Sequence, residues 1–184
     1  MKITSGLYKG IPISAPKGED IRPTLAKTRS AIFNMLRPVI NSTICLDFFA
    51  GTGAFGLEAL SNGASKAVFI DTNHREAILK NTAKLKIPKT CFEIIKADYK
   101  DAMNIIKSNG IKADIVFADP PYNKGYIKNF LKLSYLNDNL LNALIVIEMH
   151  RDERKECSEE LKGWKIVKEK EYGETSVLII KRGG

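Results

Sequence analysis

Ile44-Cys45-Leu46-Asp47-Phe48-Phe49-Ala50-Gly51-Thr52-Gly53-Ala54-Phe55-Gly56 is an apolar run that breaks into glycines and resumes as a helix. Residues 44–49 are short, apolar and bounded by turn formers, which reads as a buried strand. The stretch from Phe55 to Ser61 reads as the helix that follows. Gly51, Gly53 and Gly56 satisfy the spacing Gly-x-Gly-x-x-Gly. Glycines there allow a tight turn and a close approach of backbone to ligand, and the helix start offers free N–H groups. Such a match is common by itself, and the strand before it and helix after it are what make it a binding loop.

Outward from that loop, strands and helices alternate. Strands are expected at Ile44–Phe49, Ala67–Asp71, Phe92–Lys96, Ile115–Ala118 and Ala143–Glu148, with helices near Phe55–Ser61, Arg75–Leu85, Tyr99–Lys107 and Ile127–Ser134. This order predicts an α/β fold with a mostly parallel sheet and right-handed crossovers. The chain closes with two β-like segments, Trp164–Lys170 and Ser176–Lys181, in a hairpin-like ending. Residues 1–40 form an extension ahead of the main domain, residues 41–184. Within the extension, Ile3 to Tyr8 and Ile11 to Ser14 predict a hairpin around Lys9-Gly10, and Pro16-Lys17-Gly18 a turn. Arg22-Pro23-Thr24 opens a helix to about Leu36, whose Leu25, Ile32, Phe33 and Leu36 fall at helical spacing.

The 184 residues are enough for one sizeable core, and a hydrophobic share of 44% marks a globular chain. No apolar run reaches the length of a membrane span, and Met1-Lys2-Ile3-Thr4-Ser5-Gly6 lacks the apolar core of a signal peptide, so a cytoplasmic location is expected. Cys45, Cys91 and Cys157 are widely spaced, and His74 and His150 lie far apart, which predicts neither a disulfide framework nor a metal site. Lys and Arg outnumber Asp and Glu by 29 to 21, a balance that favours a polyanionic partner. Lys2, Lys9, Lys17, Arg22, Lys27, Arg29 and Arg37 face only Glu19 and Asp20 in residues 1–40, which concentrates that charge in the extension.

Chemistry is signalled most sharply at Asp119-Pro120-Pro121-Tyr122, after the apolar run Ile115–Ala118. Two prolines cannot donate to a sheet ladder, so the strand must stop there. The resulting stiff turn presents a carboxylate, a free carbonyl and an aromatic face at a strand's C-terminal end, where open α/β sheets bind ligands. Asp119 and the Pro120 carbonyl can accept from an exocyclic amino group while Tyr122 stacks on the ring. Two further carboxylates end strands: Asp71 about 20 residues past the loop, placed for ribose hydroxyls, and Asp98, placed for an adenine edge. Either aspartate taken singly also reads as a helix cap. A glycine loop with Asp71 suits NAD or S-adenosylmethionine. Asp47 just before the glycines, Asp98 and the Asp-Pro-Pro-Tyr turn favour the latter. Phe48 and Phe49 read as core, with Tyr99 a candidate for the pocket wall.

Asp47-x-Phe-x-Gly-Thr-Gly with Asp119-Pro120-Pro121-Tyr122 resembles class I S-adenosylmethionine-dependent methyltransferases that modify amino groups. The likeness narrows with Gly51-Thr52-Gly53-Ala54-Phe55-Gly56-Leu57-Glu58-Ala59-Leu60-Ser61-Asn62-Gly63-Ala64, Arg22-Pro23-Thr24, Arg29, Phe33-Asn34-Met35-Leu36, Gly6-x-x-Lys9-Gly10 and Tyr172-Gly173-Glu174-Thr175. Together these are similar to the RsmD family, bacterial methyltransferases of guanine N2 in 16S ribosomal RNA, from about Ile3 to Ile180. The resemblance implies a Rossmann-like sheet of seven strands with helices on both faces. It implies S-adenosylmethionine as cofactor, S-adenosylhomocysteine as product, and no metal. It implies catalytic roles for Asp119, Pro120 and Tyr122, and cofactor contacts from Asp47, Gly51, Thr52, Gly53, Asp71 and Asp98. Substrate contacts are expected from Arg22, Thr24, Lys27, Arg29, Pro121 and Lys124. The implied partner is 16S rRNA within the 30S subunit or an assembly intermediate, met by a monomer. The alternative is an adenine-N6 methyltransferase of DNA or RNA, which would use the same tetrapeptide. A non-catalytic RNA-binding module and an NAD-dependent dehydrogenase are the more distant readings.

Overall fold

The computed structural model describes residues 1–14, 23–122 and 124–183, with the side chains of residues 23–25 outside the description. The expected turn at Pro16-Lys17-Gly18 and the Arg22 start of the first helix lie outside the described residues. The elements in chain order are α1 (Pro23–Leu36), β1 (Ile44–Phe48), α2 (Ala54–Ser61), β2 (Lys66–Ile70), α3 (Arg75–Lys84), β3 (Phe92–Ile95), α4 (Tyr99–Ser108), β4 (Ile115–Ala118), α5 (Tyr126–Tyr135), β5 (Leu144–His150), α6 (Arg151–Glu156), β6 (Trp164–Tyr172) and β7 (Thr175–Arg182). The seven strands form one sheet in the order β3-β2-β1-β4-β5-β7-β6. The first five are parallel, and β7 enters antiparallel between β5 and the edge strand β6.

The central parallel strands β1, β2, β4 and β5 are buried on both faces, which is why they read as apolar runs, while the edge strand β3 is half-buried. Alternation along β1 sorts the core: Leu46 and Phe48 meet α4 and α5, while Cys45 meets α1 and α2. The first layer is filled by Met103, Ile106, Phe130 and Leu131, and the second by Ile32, Phe33, Leu36 and Ala59. Phe117 of β4 anchors the second layer, its ring 5.4 Å from both Phe33 and Phe55. Phe69 and Ile78 continue that layer toward α3. Chain order runs outward from β1 to β2 and β3, then returns to the other side of β1 for β4 and β5. Loops leaving the C-terminal ends of β1 and β4 therefore diverge and open a crevice.

Two local expectations differ from the structure. The anticipated N-terminal hairpin is a single bridge between Lys2 and Pro12 around a turn, without extended strands to Tyr8 and Ser14. The two arms pair through Ile3 N to the Ile11 carbonyl, Gly10 N to the Ile3 carbonyl and Ile13 N to the Met1 carbonyl, a hairpin shorter than expected. Other N–H groups are satisfied by α2 and α3: those of Thr4 and Ser5 donate to the Glu58 carboxylate, that of Tyr8 to Ser61 Oγ, and that of Ser14 to Asn81 Oδ1. The short helix α6 was not anticipated either. It is held by a reciprocal cap, in which His150 Nδ1 accepts from Asp152 N and Glu153 accepts from His150 N.

Glu58, fully buried on α2, gathers the extension onto the sheet. Its carboxylate accepts from Thr4 N, Thr4 Oγ1, Ser5 N, Ser5 Oγ and Arg29 Nε, the last at 3.2 Å. Arg29, also buried, donates onward from Nη2 to the Lys2 carbonyl at 2.8 Å. Removing one member strands a buried charge and several N–H groups. Glu58→Ala is therefore expected to lower stability by about 3–5 kcal/mol. Chemical denaturation measures this, and an unchanged midpoint would show that the cluster is not structural.

Candidate active site

A cavity of about 970 Å³ occupies the crevice between the loops after β1 and β4. Its walls come from the glycine loop, the ends of β2, β4 and β5, the start of α4, and the β6–β7 turn. The glycine loop is shaped by backbone demands: Gly51 and Gly53 hold φ of 52° and 78°, in the left-handed region. Gly56 is required for another reason. A Cβ there would lie 2.3 Å from the buried Phe69 ring, so only glycine lets α2 sit this close to β2.

The sequence-predicted cofactor residues separate into two groups. Gly51, Thr52, Asp71 and Asp98 line the cavity. Asp47 and Gly53 do not, and Asp47 requires correction as a contact residue. Its side chain is buried beneath the loop, where Oδ2 accepts from Gly56 N at 2.8 Å. Burial, only partly relieved by that N–H, raises its carboxyl well above the usual range. Asp47 therefore ties β1 to the first turn of α2 and supports the loop from below. Asp71 also supports the loop, since Oδ2 accepts from Gly51 N at 2.8 Å, and it faces the cavity as well. Burial opposes its ionisation, but the N–H groups of Asn73, Gly51 and His74 outweigh it and hold the carboxyl below its ordinary value. Asp98 caps α4, with Oδ1 accepting from Lys100 N and Asp101 N at 2.8 and 2.9 Å. The capping reading and the cavity reading thus hold for the same side chain.

Phe49, expected in the core, packs against it and also lines the cavity. It has a φ of 59°, which turns the chain out of β1, and its ring lies 5.4 Å from Tyr99 and 5.7 Å from Tyr126. These three rings form an apolar wall beside Asp98 suited to a flat heterocycle.

Asp119, Pro120, Pro121 and Tyr122 all line the opposite wall. Asp119 keeps some solvent contact through the cavity but is surrounded by protein, and that burial raises its carboxyl above the usual range. The Tyr122 hydroxyl donates to Glu148 Oε1 at 3.3 Å and lies 3.2 Å from Thr175 Oγ1. Burial raises the phenol too, so it stays protonated. Glu148, at the end of β5, is 2% exposed and carries a raised pKa from burial first and from the Asp119 charge second.

Sequence reasoning placed Glu148 at a strand end but gave it no role. The available signal was the one used for Asp71 and Asp119, a carboxylate terminating an apolar run. Thr175 was quoted within Tyr172-Gly173-Glu174-Thr175 without a location. The structure supplies one: β7 pairs with β5 in the register His150↔Thr175, which folds this turn against the Asp-Pro-Pro-Tyr segment.

The substrate residues are scattered. Arg22 and the Thr24 side chain lie outside the described residues. Lys27 and Lys124 are exposed and lie away from the cavity walls. Arg29 needs correction: instead of reaching phosphates from the surface, it is 3% exposed and paired with Glu58, at the cavity's inner edge. Its one-sided helix position could not reveal this, because the partner comes from α2. Among the described residues no cluster of side chains suits a metal ion. No helix among them is long and apolar enough to cross a membrane.

Residues 1–181 match the family model described as "Conserved hypothetical protein 95". The chain is 35% identical over 151 residues to ribosomal RNA small subunit methyltransferase D of Escherichia coli, covering 80% of this chain and 74% of that protein. Its counterpart from Haemophilus influenzae, under the same name, is 33% identical over 184 residues, covering 97% and 92%. The solved structure of Escherichia coli yhhF superposes with a TM-score of 0.83 at 31% identity, covering 100% of this chain and 98% of that one. The strand order, the glycine loop, the Asp-Pro-Pro-Tyr turn and these relatives agree, and the chain belongs to the RsmD family.

Proposed function

We infer that this protein transfers a methyl group from S-adenosylmethionine to the exocyclic N2 amino group of a guanine in 16S rRNA of the small ribosomal subunit. The observation that carries the reading is that Asp119 and Pro120 line the same cavity as the glycine loop, at the ends of the adjacent strands β4 and β1. The names of the curated relatives place their substrate in small-subunit ribosomal RNA. The charge of the cavity supports the cofactor. Asp71, Asp98 and Glu174 line it together with Lys100 and the Glu58-paired Arg29, and Asp119 and Glu148 add charge once ionised; this carboxylate-rich lining suits a sulfonium better than the pyrophosphate of a dinucleotide.

When bound, S-adenosylmethionine supplies an already activated methyl group, so the protein's work is alignment and exclusion of water. Gly51 and Thr52 let the backbone approach the cofactor's amino-acid part. Asp71 retains acceptor capacity for ribose hydroxyls beyond its internal bonds, and Asp98 with the Phe49, Tyr99 and Tyr126 wall takes the adenine. Asp119 and the Pro120 carbonyl accept from the target NH2 and aim its lone pair at the methyl carbon. Asp119 and Pro120 hold that nitrogen in line as it receives the methyl group, and the C–S bonding pair stays on sulfur. The surplus proton on nitrogen passes to the Asp119 carboxylate, which also stabilises the charge building there. Tyr122, held by Glu148 and Thr175, presents its ring to the base. Pro121 is exposed at the rim, where an extracted guanine enters. Lys27, Lys124 and Arg22 hold flanking phosphates of the 16S rRNA, in the 30S subunit or an assembly intermediate. A monomer working in the cytoplasm completes the reading.

Two measurements test it. Radiolabelled methyl transfer to rRNA and 30S particles from cells lacking the enzyme is expected to place label in N2-methylguanosine. Label in N6-methyladenosine would replace the substrate with adenine. Asp119→Ala is expected to abolish that label while cofactor affinity, read by calorimetry, stays within about threefold. Full turnover by this variant would remove Asp119 from the chemistry.

The raised pKa values give a second expectation with a definite sign. Asp119 and Glu148 are acids whose folded-state pKa values lie above their ordinary ones, so they hold a proton at pH values where free carboxyls have lost theirs. The ionised Asp119 needed here is populated as pH rises, so kcat/KM should climb between about pH 6 and pH 9 and then level off. Stability should move the other way, falling as pH rises from about 4 to about 8, because over that span the folded state holds protons on Asp119 and Glu148 that the unfolded state has lost. A flat rate profile with unchanged chemistry as the slow step would contradict the role of the pair.

A further inference from the structure

We propose that Glu148 reads the N1–H of the target guanine while Asp119 takes the neighbouring amino group, so that this pair of carboxylates selects guanine over adenine. The proposal rests on the guanine-N2 reading given above and assigns its base specificity to one further residue.

The strand register places the pair. β4 and β5 run parallel with Ala118 opposite Ile147, so Asp119 and Glu148 take the next positions side by side at the same sheet edge. Neighbouring strands lie about 4.8 Å apart, a spacing from which two carboxylates can converge on adjacent donors of one small ring. Both residues line the cavity. Glu148 Oε1 accepts from the Tyr122 hydroxyl, whereas Oε2 takes no hydrogen bond from the described residues although the side chain is 2% exposed. Oε2 is not sealed in protein: it opens on the cavity, where a donor on a ligand can reach it. The Asp119 and Glu148 charges repel, and donors on a ligand would offset that cost.

The bases differ in what they offer. A flipped guanine presents N1–H beside N2–H2, two donor groups in a row along its Watson–Crick edge. Adenine presents N6–H2 beside N1, and N1 is an acceptor. Glu148 holds its proton past neutral pH in the free protein, but guanine's donors favour the ionised form, which only accepts; in that form Glu148 would pair with guanine N1–H and oppose the lone pair of adenine N1. Tyr122 fixes where Oε1 sits, which leaves Oε2 to meet the base.

The test uses 2-aminopurine, which keeps the 2-amino group, replaces N1–H by a bare nitrogen and lacks the 6-oxygen, so the Glu148→Gln comparison below isolates the N1 contact. The mapped target guanosine is replaced by 2-aminopurine riboside in the rRNA, and methyl transfer is compared with the unsubstituted RNA. Wild-type enzyme should prefer guanine by about 100-fold or more in kcat/KM, since a site built around a hydrogen bond rejects an analogue lacking it. Glu148→Gln, whose amide can donate to that bare nitrogen, should narrow the preference by about tenfold or more. Folding and S-adenosylhomocysteine binding of the variant are checked by calorimetry. A wild-type preference near unity overturns the proposal whether or not the variant folds. Equal loss on both RNAs in Glu148→Gln also overturns it, because Glu148 would then act only through Tyr122. Wild-type label outside N2-methylguanosine removes the underlying reading, and label in N2-methylguanosine without base discrimination removes this proposal alone.

Discussion

β4 lies beside β1, and this placement governs everything that binds. Had β4 continued outward past β3, the loops after β1 and β4 would sit at opposite places on the sheet. Because the chain returns to the far side of β1, the glycine loop and the Asp-Pro-Pro-Tyr turn leave adjacent strands in diverging directions. The crevice between them brings cofactor loop and amino-group acceptor within one cavity. The register is set by strands buried on both faces, where a slip of one residue would exchange the two core layers.

A second constraint fastens the front of the chain to this frame. Glu58 and Arg29 are charged, buried and mutually paired, and their remaining side-chain bonds go to backbone and side chains of residues 1–5. This arrangement fastens the short N-terminal hairpin to α2. It also places Met1 and Arg29 at the cavity edge, so the first residues of the chain contribute to the site while a side chain on α2 holds them. Arg29 further lowers the cost of ionising Glu148 across the cavity. The same guanidinium thus links the anchoring of the extension to the electrostatics of the base pocket.

The site itself sets burial against charge. Asp71 sits among backbone N–H groups and stays ionised, while Asp119 and Glu148 sit among protein atoms with fewer donors and hold their protons longer. Carboxylates at successive strand ends thereby acquire different chemistry from their surroundings alone. The one rich in internal hydrogen bonds is suited to steady contacts with hydroxyls. The pair poor in them is suited to a substrate that brings its own donors.

The alternation of strands and helices, the glycine loop and the Asp-Pro-Pro-Tyr turn were legible in the sequence because each rests on local rules. These are the period of apolar residues, the φ freedom of glycine and the missing N–H of proline. Strand ends fell within a residue or two of expectation for the same reason. What was not legible depended on partners distant in the chain. Asp47 looked like a cofactor ligand until Gly56 was seen to cover it, and Arg29 looked like a surface cation until Glu58 was found beside it. Phe49 looked like core alone, and a positive φ brought it to the cavity as well. Glu148 acquired meaning only when β5 paired with β4 and β7 brought Thr175 to Tyr122. The sequence by itself determined the fold and the chemical kind of each strand end, since those follow from neighbours along the chain. Tertiary structure alone decided which carboxylates meet a ligand and which brace the protein, because burial and hydrogen-bond supply are set by residues far away in sequence.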